Sequence, residues 1–258
     1  MRRAIATLLA VTGLVLGLAA CGSDDSDSGG SASAEQALKV GVSPVPHGEI
    51  LTYISDNLAA VEGLKLEIVE FNDYVQPNVA LQDKQLDANY FQHVPYLEEE
   101  VASKGYTFTP LKPVHIEPLG VYSKKVESLA EVPDGGVVAI PSDPSNSGRA
   151  LNLLATNGLI TLKDGAGVKA TEADITANPK NLEFKALESA QLPRSLEDTA
   201  LSVINGNYAI ETGLTPAKDA LALEKGRTTR TRTCSSCVPV RRTIRGCSSW
   251  RSCCIRPR

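Results

Sequence analysis

The sequence contains few of the residues and motifs on which enzymes rely. It has three histidines in 258 residues, and none stands at metal-ligand spacing from another histidine or cysteine of the main body. Gly165 and Gly167 lack the strand–helix context of a phosphate-binding loop, and no nucleophile elbow is present. We therefore expect no metal site, no cofactor and no catalytic residue, and a binding role requires fewer assumptions than an enzymatic one.

Acidic residues and lysine are missing from one part of the chain only. Residues 1–226 hold all 30 acidic residues with 13 Lys and 4 Arg, whereas residues 227–258 hold 9 Arg, five of the six Cys and the only Trp. One folded domain rarely changes composition so abruptly, so the two parts are interpreted separately. The larger part is long enough for one large domain or two small lobes with hydrophobic cores.

The N-terminus has the pattern of a targeting segment. Arg2 and Arg3 precede an apolar run at 4–20 that is too short for a confident membrane span. The run ends in small residues directly before Cys21, which resembles the bacterial lipobox, in which that cysteine is lipidated. We predict a signal peptide at 1–20 and lipidation of Cys21; the alternative is an ordinary secretory signal with an incidental cysteine.

Residues 21–36 are rich in Ser, Asp and Gly and are predicted to form a flexible tether. The expected product is a globular domain held by lipid on the extracytoplasmic face of the cell membrane. One acyl chain anchors weakly, and the lipobox implies at least two.

Strand and helix patterns alternate along residues 37–226, which predicts an α/β fold with a mostly parallel sheet. Two such units indicate two lobes with a ligand cleft between them: lobe 1 at 37–118, lobe 2 at 119–210 and a return segment at 211–226. The predicted strands are 38–42, 64–71, 119–122, 137–140, 182–187 and 201–210, and the predicted helices are 47–58, 77–86, 149–156, 195–201 and 216–225.

The stretch Asp87–Leu97 concentrates aromatic and amide side chains. Its aromatic residues offer flat apolar surfaces with polar edges, which suits a pocket for a small ligand that has one polar end. The alternative is a loop whose aromatics fill a core. The rings concerned are those of Tyr90, Phe91, His93 and Tyr96.

The polar segment Ser142–Arg149 predicts the start of a helix, since Ser, Asp and Asn are favoured caps. Asn146 and Arg149 are three residues apart and share a helix face. Free N–H groups at a helix start favour an anion, and the arginine fork matches a carboxylate. Arg149 and Arg194 are the only arginines between residues 21 and 226, so arginine is scarce in this part of the chain. The alternative is an exposed arginine near a cap.

Two amides, Asn205 and Asn207, interrupt an apolar run that is predicted to be a strand. Asparagine is depleted in strands, so these side chains are expected to have a binding partner. The alternative is an Asn-Gly turn.

Five segments of the chain, in this order, resemble the NlpA-type lipoproteins, which are the methionine-binding lipoproteins of ABC importers. The resemblance extends from about Leu38 to Lys225 and implies a bilobed type II periplasmic-binding-protein fold. It also implies that Arg149 and Asn146 hold an amino acid's carboxylate and that Asn205 contacts its polar end. The pocket for the side chain would be formed by Tyr74, Phe91, His93 and Tyr96. The five segments are Phe71–Asn78, Ala88–His93, Asn146–Leu151, Gln191–Arg194 and Val203–Ala209.

The partners implied by this resemblance are methionine (L- or D-), an ABC transporter permease and ATPase, and the membrane through the lipid anchor; nucleic acid is not among them. Other small amino acids, a methionine sulfoxide or a dipeptide stay open as ligands. A lyase or dehydratase on the same fold, with His93 as base, and a surface adhesin are the rival functions.

The tail at 227–258 departs from the family. In a shifted reading frame every Cys codon, and that of Trp250, becomes Leu, Val or Met, and the new frame can encode a strand and an acidic amphipathic helix. The hypothesis is a frameshift near Gly226, with a disordered tail, an unpaired sheet, reduced stability and weak ligand binding. A zinc site among the tail cysteines and nucleic-acid or anionic-lipid binding by its nine arginines are less favoured alternatives.

Overall fold

The computed structural model describes residues 37–225 and, as backbone only, residues 232–237. The predicted signal peptide, Cys21, the tether and most of the tail lie outside the described residues. Among the helices of 37–225, none combines the length and apolar character required to cross a bilayer.

Strands and helices alternate through both halves of the described chain. The strands are β1 (Leu38–Val42), β2 (Leu66–Glu70), β3 (Ala88–His93), β4 (Thr109–Pro110), β5 (His115–Ile116), β6 (Gly120–Tyr122), β7 (Val137–Pro141), β8 (Thr161–Leu162), β9 (Ile175–Ala177), β10 (Glu183–Leu187), β11 (Leu201–Ile204), β12 (Ala222–Leu223) and β13 (Arg232–Cys237). The helices are α1 (Glu49–Asn57), α2 (Gln76–Gln82), α3 (Val94–Lys104), α4 (Pro144–Thr156), α5 (Leu192–Ser195), α6 (Gly206–Glu211) and α7 (Pro216–Asp219).

The first sheet has the order β2-β1-β3-β13-β4, with β5 also paired to β13. Its strand β1 runs parallel to both neighbours, β2 and β3. One face packs against α1 through Leu51 and Ile54, and a second cluster includes Leu81 and Leu97 of α2 and α3. Val40 and Val42, on one face of β1, are fully buried, and a Cβ atom at Gly41 on the other face would meet Leu86 and Phe71.

The second sheet has the order β10-β7-β11-β6-β12. Its strand β7 is parallel to β10 and β11, whereas β6 is antiparallel to β11 and β12. Helix α4 covers one face with Leu151 and Leu154, and a cluster that includes Leu192 and Tyr208 forms separately. Strand β12 pairs with β6 and so still belongs to the second sheet. The segment predicted at 211–226 to return to lobe 1 therefore begins only after Leu223.

Several predicted elements are confirmed, but the strand at 201–210 is wrong in its second half. Strand β11 ends at Ile204 and helix α6 begins at Gly206, with Asn205 in extended backbone between them. A short apolar run fits a buried strand and a buried helix equally well, so its periodicity did not distinguish them. The predicted helix at 195–201 is replaced by α5 and a turn, and that at 216–225 stops at Asp219.

The aromatic stretch Asp87–Leu97 is not a loop. It comprises β3, in which every residue is buried, followed immediately by α3. Pro95 lies in the first turn of α3, where its missing N–H is not needed, and its ring angle suits the helix. Pro95 thus marks the start of a helix.

The expectation that the tail leaves the first sheet unpaired is wrong for residues 232–237. Their backbone forms β13, antiparallel to β3, with Thr233 opposite His93 and Cys237 opposite Ala88. Ladder hydrogen bonds are made by the main chain, and this segment contains no proline that would remove a donor. A segment whose composition departs from that of the family can therefore form the strand beside β3. The reduced stability of the chain stays a prediction.

Gly148 allows α4 to approach the turn Gly167–Lys169. A Cβ atom added at Gly148 would lie 2.1 Å from the carbonyl oxygen of Val168, which is backbone and cannot rotate away. This contact fixes the first turns of α4, which carry Asn146 and Arg149.

We predict that Gly148→Ala lowers the free energy of unfolding by about 3 kcal/mol, because α4 must move away from the turn at Val168. Urea denaturation measures the change. The neighbouring Ser147→Ala is the control, since this half-buried position needs no close backbone approach, and we expect it to be nearly neutral. Equal stability of the two variants would contradict the packing argument.

Candidate ligand-binding site

The seven residues predicted to contact a ligand line one cavity, part of which is open to solvent. The first sheet and its helices contribute the aromatic side, while α4 and the β11–α6 junction contribute the polar side. Sequence reasoning did not identify three further lining residues. The cavity is lined by Tyr74, Phe91, His93, Tyr96, Asn146, Arg149 and Asn205, and by Gln92, Glu117 and Gly206.

The start of α4 is fixed by Asp143. One oxygen of its carboxylate accepts from the backbone N–H of Asn146, and the other accepts from Asn146 Nδ2, both at 2.9 Å. The amide of Asn146 is thereby oriented so that its Oδ1 accepts from Arg149 Nη1 and pairs with His93 Nε2, also at 2.9 Å. Asn146 thus links Arg149 to His93 across the cavity wall.

Both ring nitrogens of His93 are occupied. Nδ1 accepts from the backbone N–H of Tyr96 at 3.1 Å and so caps α3. Nε2 faces the side-chain oxygen Oδ1 of Asn146. This oxygen can only accept a hydrogen bond, so the hydrogen-bond network assigns the proton of His93 to Nε2. Burial, assisted by the charge of Arg149, lowers the pKa of His93 to about 3. With no free lone pair, His93 is unsuited to the role of general base.

Arg149 is buried, with 3% of its surface exposed. Its Nε and Nη2 donate to the two carboxylate oxygens of Glu224 at 3.2 and 2.5 Å, and Nη2 also donates to the carbonyl oxygen of Glu117 at 3.0 Å. Together with the bond to Asn146, four of its five N–H groups have protein acceptors. The carboxylate-binding fork that the sequence suggested is therefore already engaged by an internal carboxylate.

Glu224 could not be recognised from the sequence, where it lies in a predicted helix beside the abnormal tail. The structure places it just past β12, and its carboxylate is 9% exposed. A buried guanidinium requires a counter-charge. Arg149 itself was therefore the only signal in the sequence that an acidic partner lies nearby.

The rings of Tyr74, Phe91 and Tyr96 form the apolar side of the site, and Tyr208 packs against Tyr74. The ring of Tyr74 lies 5.8 Å from that of Phe91, 6.0 Å from that of Tyr96 and 5.0 Å from that of Tyr208. These are tilted or edge contacts at favourable centroid separations. Burial raises the pKa of the Tyr74 and Tyr96 hydroxyls. The rings thus form an uncharged surface beside the charged fork.

Hydrogen bonds join the two sides of the cavity. The hydroxyl of Tyr74 donates to Asn207 Oδ1 at 2.5 Å, and that of Tyr208 donates to the carbonyl oxygen of Asn72 at 3.3 Å. The pair His93–Asn146 makes a third link between the elements of the two sheets. These contacts connect the two walls of the cavity.

Asn205 lies at the junction of β11 and α6 rather than inside a strand. It is 6% exposed, and its Oδ1 has no hydrogen-bond partner among the described residues. One buried carboxylate oxygen of Glu117 is likewise without one. Both residues line the cavity, so they supply acceptors for a ligand that carries N–H groups.

A pH dependence follows from the two fully or nearly buried histidines. The folded-state pKa is about 4 for His47 and about 3 for His93, below the usual 6.5, so the unfolded chain binds more protons below pH 6.5. Stability is therefore lost as the pH falls from 6.5. We predict that it decreases by about 2 kcal/mol per histidine between pH 7.5 and 5.0.

Urea denaturation at the two pH values measures this loss. We expect His93→Gln, which keeps a donor and an acceptor, to reduce the decrease by about 2 kcal/mol. An identical decrease in the parent and the variant would show that His93 does not contribute.

Comparison with known proteins places the chain in context. Residues 38–235 match the family model of the NlpA lipoproteins. The D-methionine-binding lipoprotein MetQ of Salmonella typhimurium is 45% identical over 222 residues, which cover 84% of this chain and 79% of the relative.

Two solved structures show the same architecture. A nutrient-binding protein from Burkholderia cenocepacia, bound to methionine, is 42% identical with a TM-score of 0.77, covering 85% of this chain and 90% of that one. An ABC transporter periplasmic substrate-binding protein from Coxiella burnetii is 36% identical with a TM-score of 0.78, covering 85% and 92%. The chain therefore belongs to the NlpA lipoprotein family and has the bilobed α/β fold of periplasmic substrate-binding proteins.

Proposed function

We propose that this chain is the extracytoplasmic substrate-binding lipoprotein of an ABC importer and that its cleft captures methionine. The observation that carries the proposal is the arrangement of a buried arginine fork beside a box of aromatic rings in one cavity. A fork of this kind suits a carboxylate, and aromatic rings make favourable contacts with a thioether sulfur. The names of the relatives and the methionine found in the Burkholderia cenocepacia protein support the same ligand.

In this proposal the ligand's carboxylate is held by Arg149. The remaining Nη1–H of Arg149 donates one hydrogen bond to the ligand. Further N–H groups of Arg149 become available when the carboxylate of Glu224 moves away from them. Asn146 and His93 act by orienting, because their polar atoms already bond to each other and to Arg149, Asp143 and the backbone of Tyr96. Asn146 is therefore a positioning residue rather than a direct carboxylate ligand.

The ligand's ammonium group donates to Asn205 Oδ1 and to the carboxylate of Glu117. Both acceptors are buried and lack hydrogen-bond partners in the described part of the chain. Pairing both charges of the zwitterion offsets the free-energy cost of removing them from water. The side chain then lies among Tyr74, Phe91, Tyr96 and the ring face of His93.

The remaining parts of the proposal concern the cell. Lipidated Cys21 would anchor the chain to the outer face of the cell membrane, with residues 21–36 as a tether. The bound chain would deliver methionine to the permease and its ATPase, without catalysis or a cofactor. The ligand is L- or D-methionine.

Calorimetric titration with L-methionine, D-methionine and norleucine tests the ligand, together with mass spectrometry of what co-purifies with the chain. We expect one methionine enantiomer to bind more tightly than norleucine, which has the same shape without sulfur. In the double variant Arg149→Met/Glu224→Gln, both charges are removed together, so we expect the fold to persist and methionine affinity to fall at least about 100-fold.

Arg194→Met is the matched control, because Arg194 is exposed and lies outside the cavity. Its affinity should equal that of the parent. Methionine binding unchanged in a folded double variant would refute the role of Arg149, and absence of any methionine binding in the parent would refute the proposed ligand.

Glu224→Gln alone is predicted to have opposite effects on stability and binding. The free protein should melt at a lower temperature, because Arg149 stays buried without its counter-charge. Methionine should then raise the melting temperature by more than in the parent, because its carboxylate replaces the missing charge. Thermal melts with and without methionine measure both effects, with Glu62→Gln at an exposed site as control. A smaller methionine-induced rise would exclude competition between Glu224 and the ligand.

A further inference from the structure

A second polar cluster lies beside the cavity and is formed by His47, His115 and Glu117. One ring nitrogen of each histidine and one carboxylate oxygen lie within 4.8 Å of one another. His47 belongs to the turn Pro44–Gly48 after β1, His115 is in β5, and Glu117 follows β5. The cluster thus joins the first strand of the chain to the segment that leads into the second sheet.

His47 is completely buried, yet within the described part of the chain neither of its ring nitrogens makes a hydrogen bond of normal geometry. Its Nε2 lies 3.7 Å from Glu117 Oε2, and His115 Nε2 lies 3.2 Å from Glu117 Oε1. Nε2 of His115 and Oε1 of Glu117 are also buried without a hydrogen bond. Unsatisfied polar atoms that are buried within 4.8 Å of one another are costly, which indicates a partner that bonds to them.

Tyr90 orients one of these ligands. Its hydroxyl lies 2.6 Å from His115 Nδ1, on the opposite side of the ring from Glu117. When Nδ1–H donates to this hydroxyl, Nε2 keeps its lone pair and faces His47 and Glu117. A histidine that ligates a metal generally makes such a bond with its other nitrogen.

We propose that His47, His115 and Glu117 form a binding site for a divalent transition metal, with Zn²⁺ as the best match. Two imidazoles and one carboxylate are an established ligand set for zinc, with water in the fourth position. Bond lengths of about 2.0–2.1 Å place neighbouring ligand atoms about 3.3 Å apart. The separation of 3.2 Å between His115 Nε2 and Glu117 Oε1 is close to this value. His47 Nε2 lies 3.7 Å from the other carboxylate oxygen, so rotation of the rings must shorten the widest separation of the cluster, 4.8 Å.

The electrostatic environment also favours a cation. The carboxylate of Glu117 supplies negative charge, and burial keeps His47 neutral at pH 7 so that its lone pair is available. Glu117 also lines the cavity and its carbonyl oxygen accepts from Arg149. In the proposed function the same carboxylate accepts from the ammonium group of methionine, so a bound metal ion and the ammonium would share Glu117, each bonded to one of its two oxygens. A metal ion here would therefore constrain one wall of the cleft. Sequence spacing could not reveal the site, because its two histidines are far apart in the chain.

Zinc titration of the full chain in competition with a chromophoric chelator tests the proposal. All thiols are first alkylated, because the tail cysteines would otherwise bind zinc themselves. We expect about one equivalent of Zn²⁺, and an affinity at least about tenfold lower in Glu117→Gln and in His115→Gln. Glu62→Gln is the control and should match the parent. These substitutions are preferred to His47→Ala, which would leave a cavity in the core.

A second measurement makes the outcome decisive. Zinc-edge X-ray absorption of the loaded, alkylated chain should show nitrogen and oxygen neighbours, with two imidazoles and no sulfur. The proposal is overturned if zinc does not compete with the chelator. It is also overturned if folded Glu117→Gln and His115→Gln, verified by circular dichroism, bind zinc as the parent does.

Discussion

The buried charge of Arg149 is the constraint around which the cleft is organised. A guanidinium cannot lose its proton in a protein, so burying it requires acceptors and a counter-charge. The chain supplies them from separate places: Glu224 after β12, the carbonyl oxygen of Glu117 before β6, and Asn146 in α4. The position of Arg149 therefore depends on both the second sheet and the segment that enters it.

The same requirement extends to the first sheet. Asn146 can orient Arg149 because Asp143 fixes its side-chain amide, whose oxygen Oδ1 also accepts a hydrogen bond from His93 Nε2 at the end of β3. His93 in turn caps α3, which carries Tyr96 into the aromatic cluster. One connected set of hydrogen bonds thus sets the distance between the charged fork and the apolar rings.

Much of the fold was predictable because the signals are local. The alternating pattern of β1, the apolar run of β7, the cap residues at the start of α4, and the alternation of strands and helices follow from short-range sterics and hydrogen bonding. The errors occurred where a short apolar run suits either element, as at Leu201–Ile210. The pairing of β13 with β3 was also missed, because main-chain hydrogen bonds do not require a recognisable side-chain pattern.

The sequence by itself determined the chemistry of the site: aromatic rings in Asp87–Leu97, a scarce arginine at a helix start, and a polar Asn205 in an apolar run. Only the tertiary structure decided which groups those residues meet. Glu224 is 75 residues from Arg149 along the chain, and His47 meets His115 only because the turn after β1 packs against β5. Partners so far apart in the chain are selected by how the sheets and turns pack, since no local periodicity records a contact between distant segments.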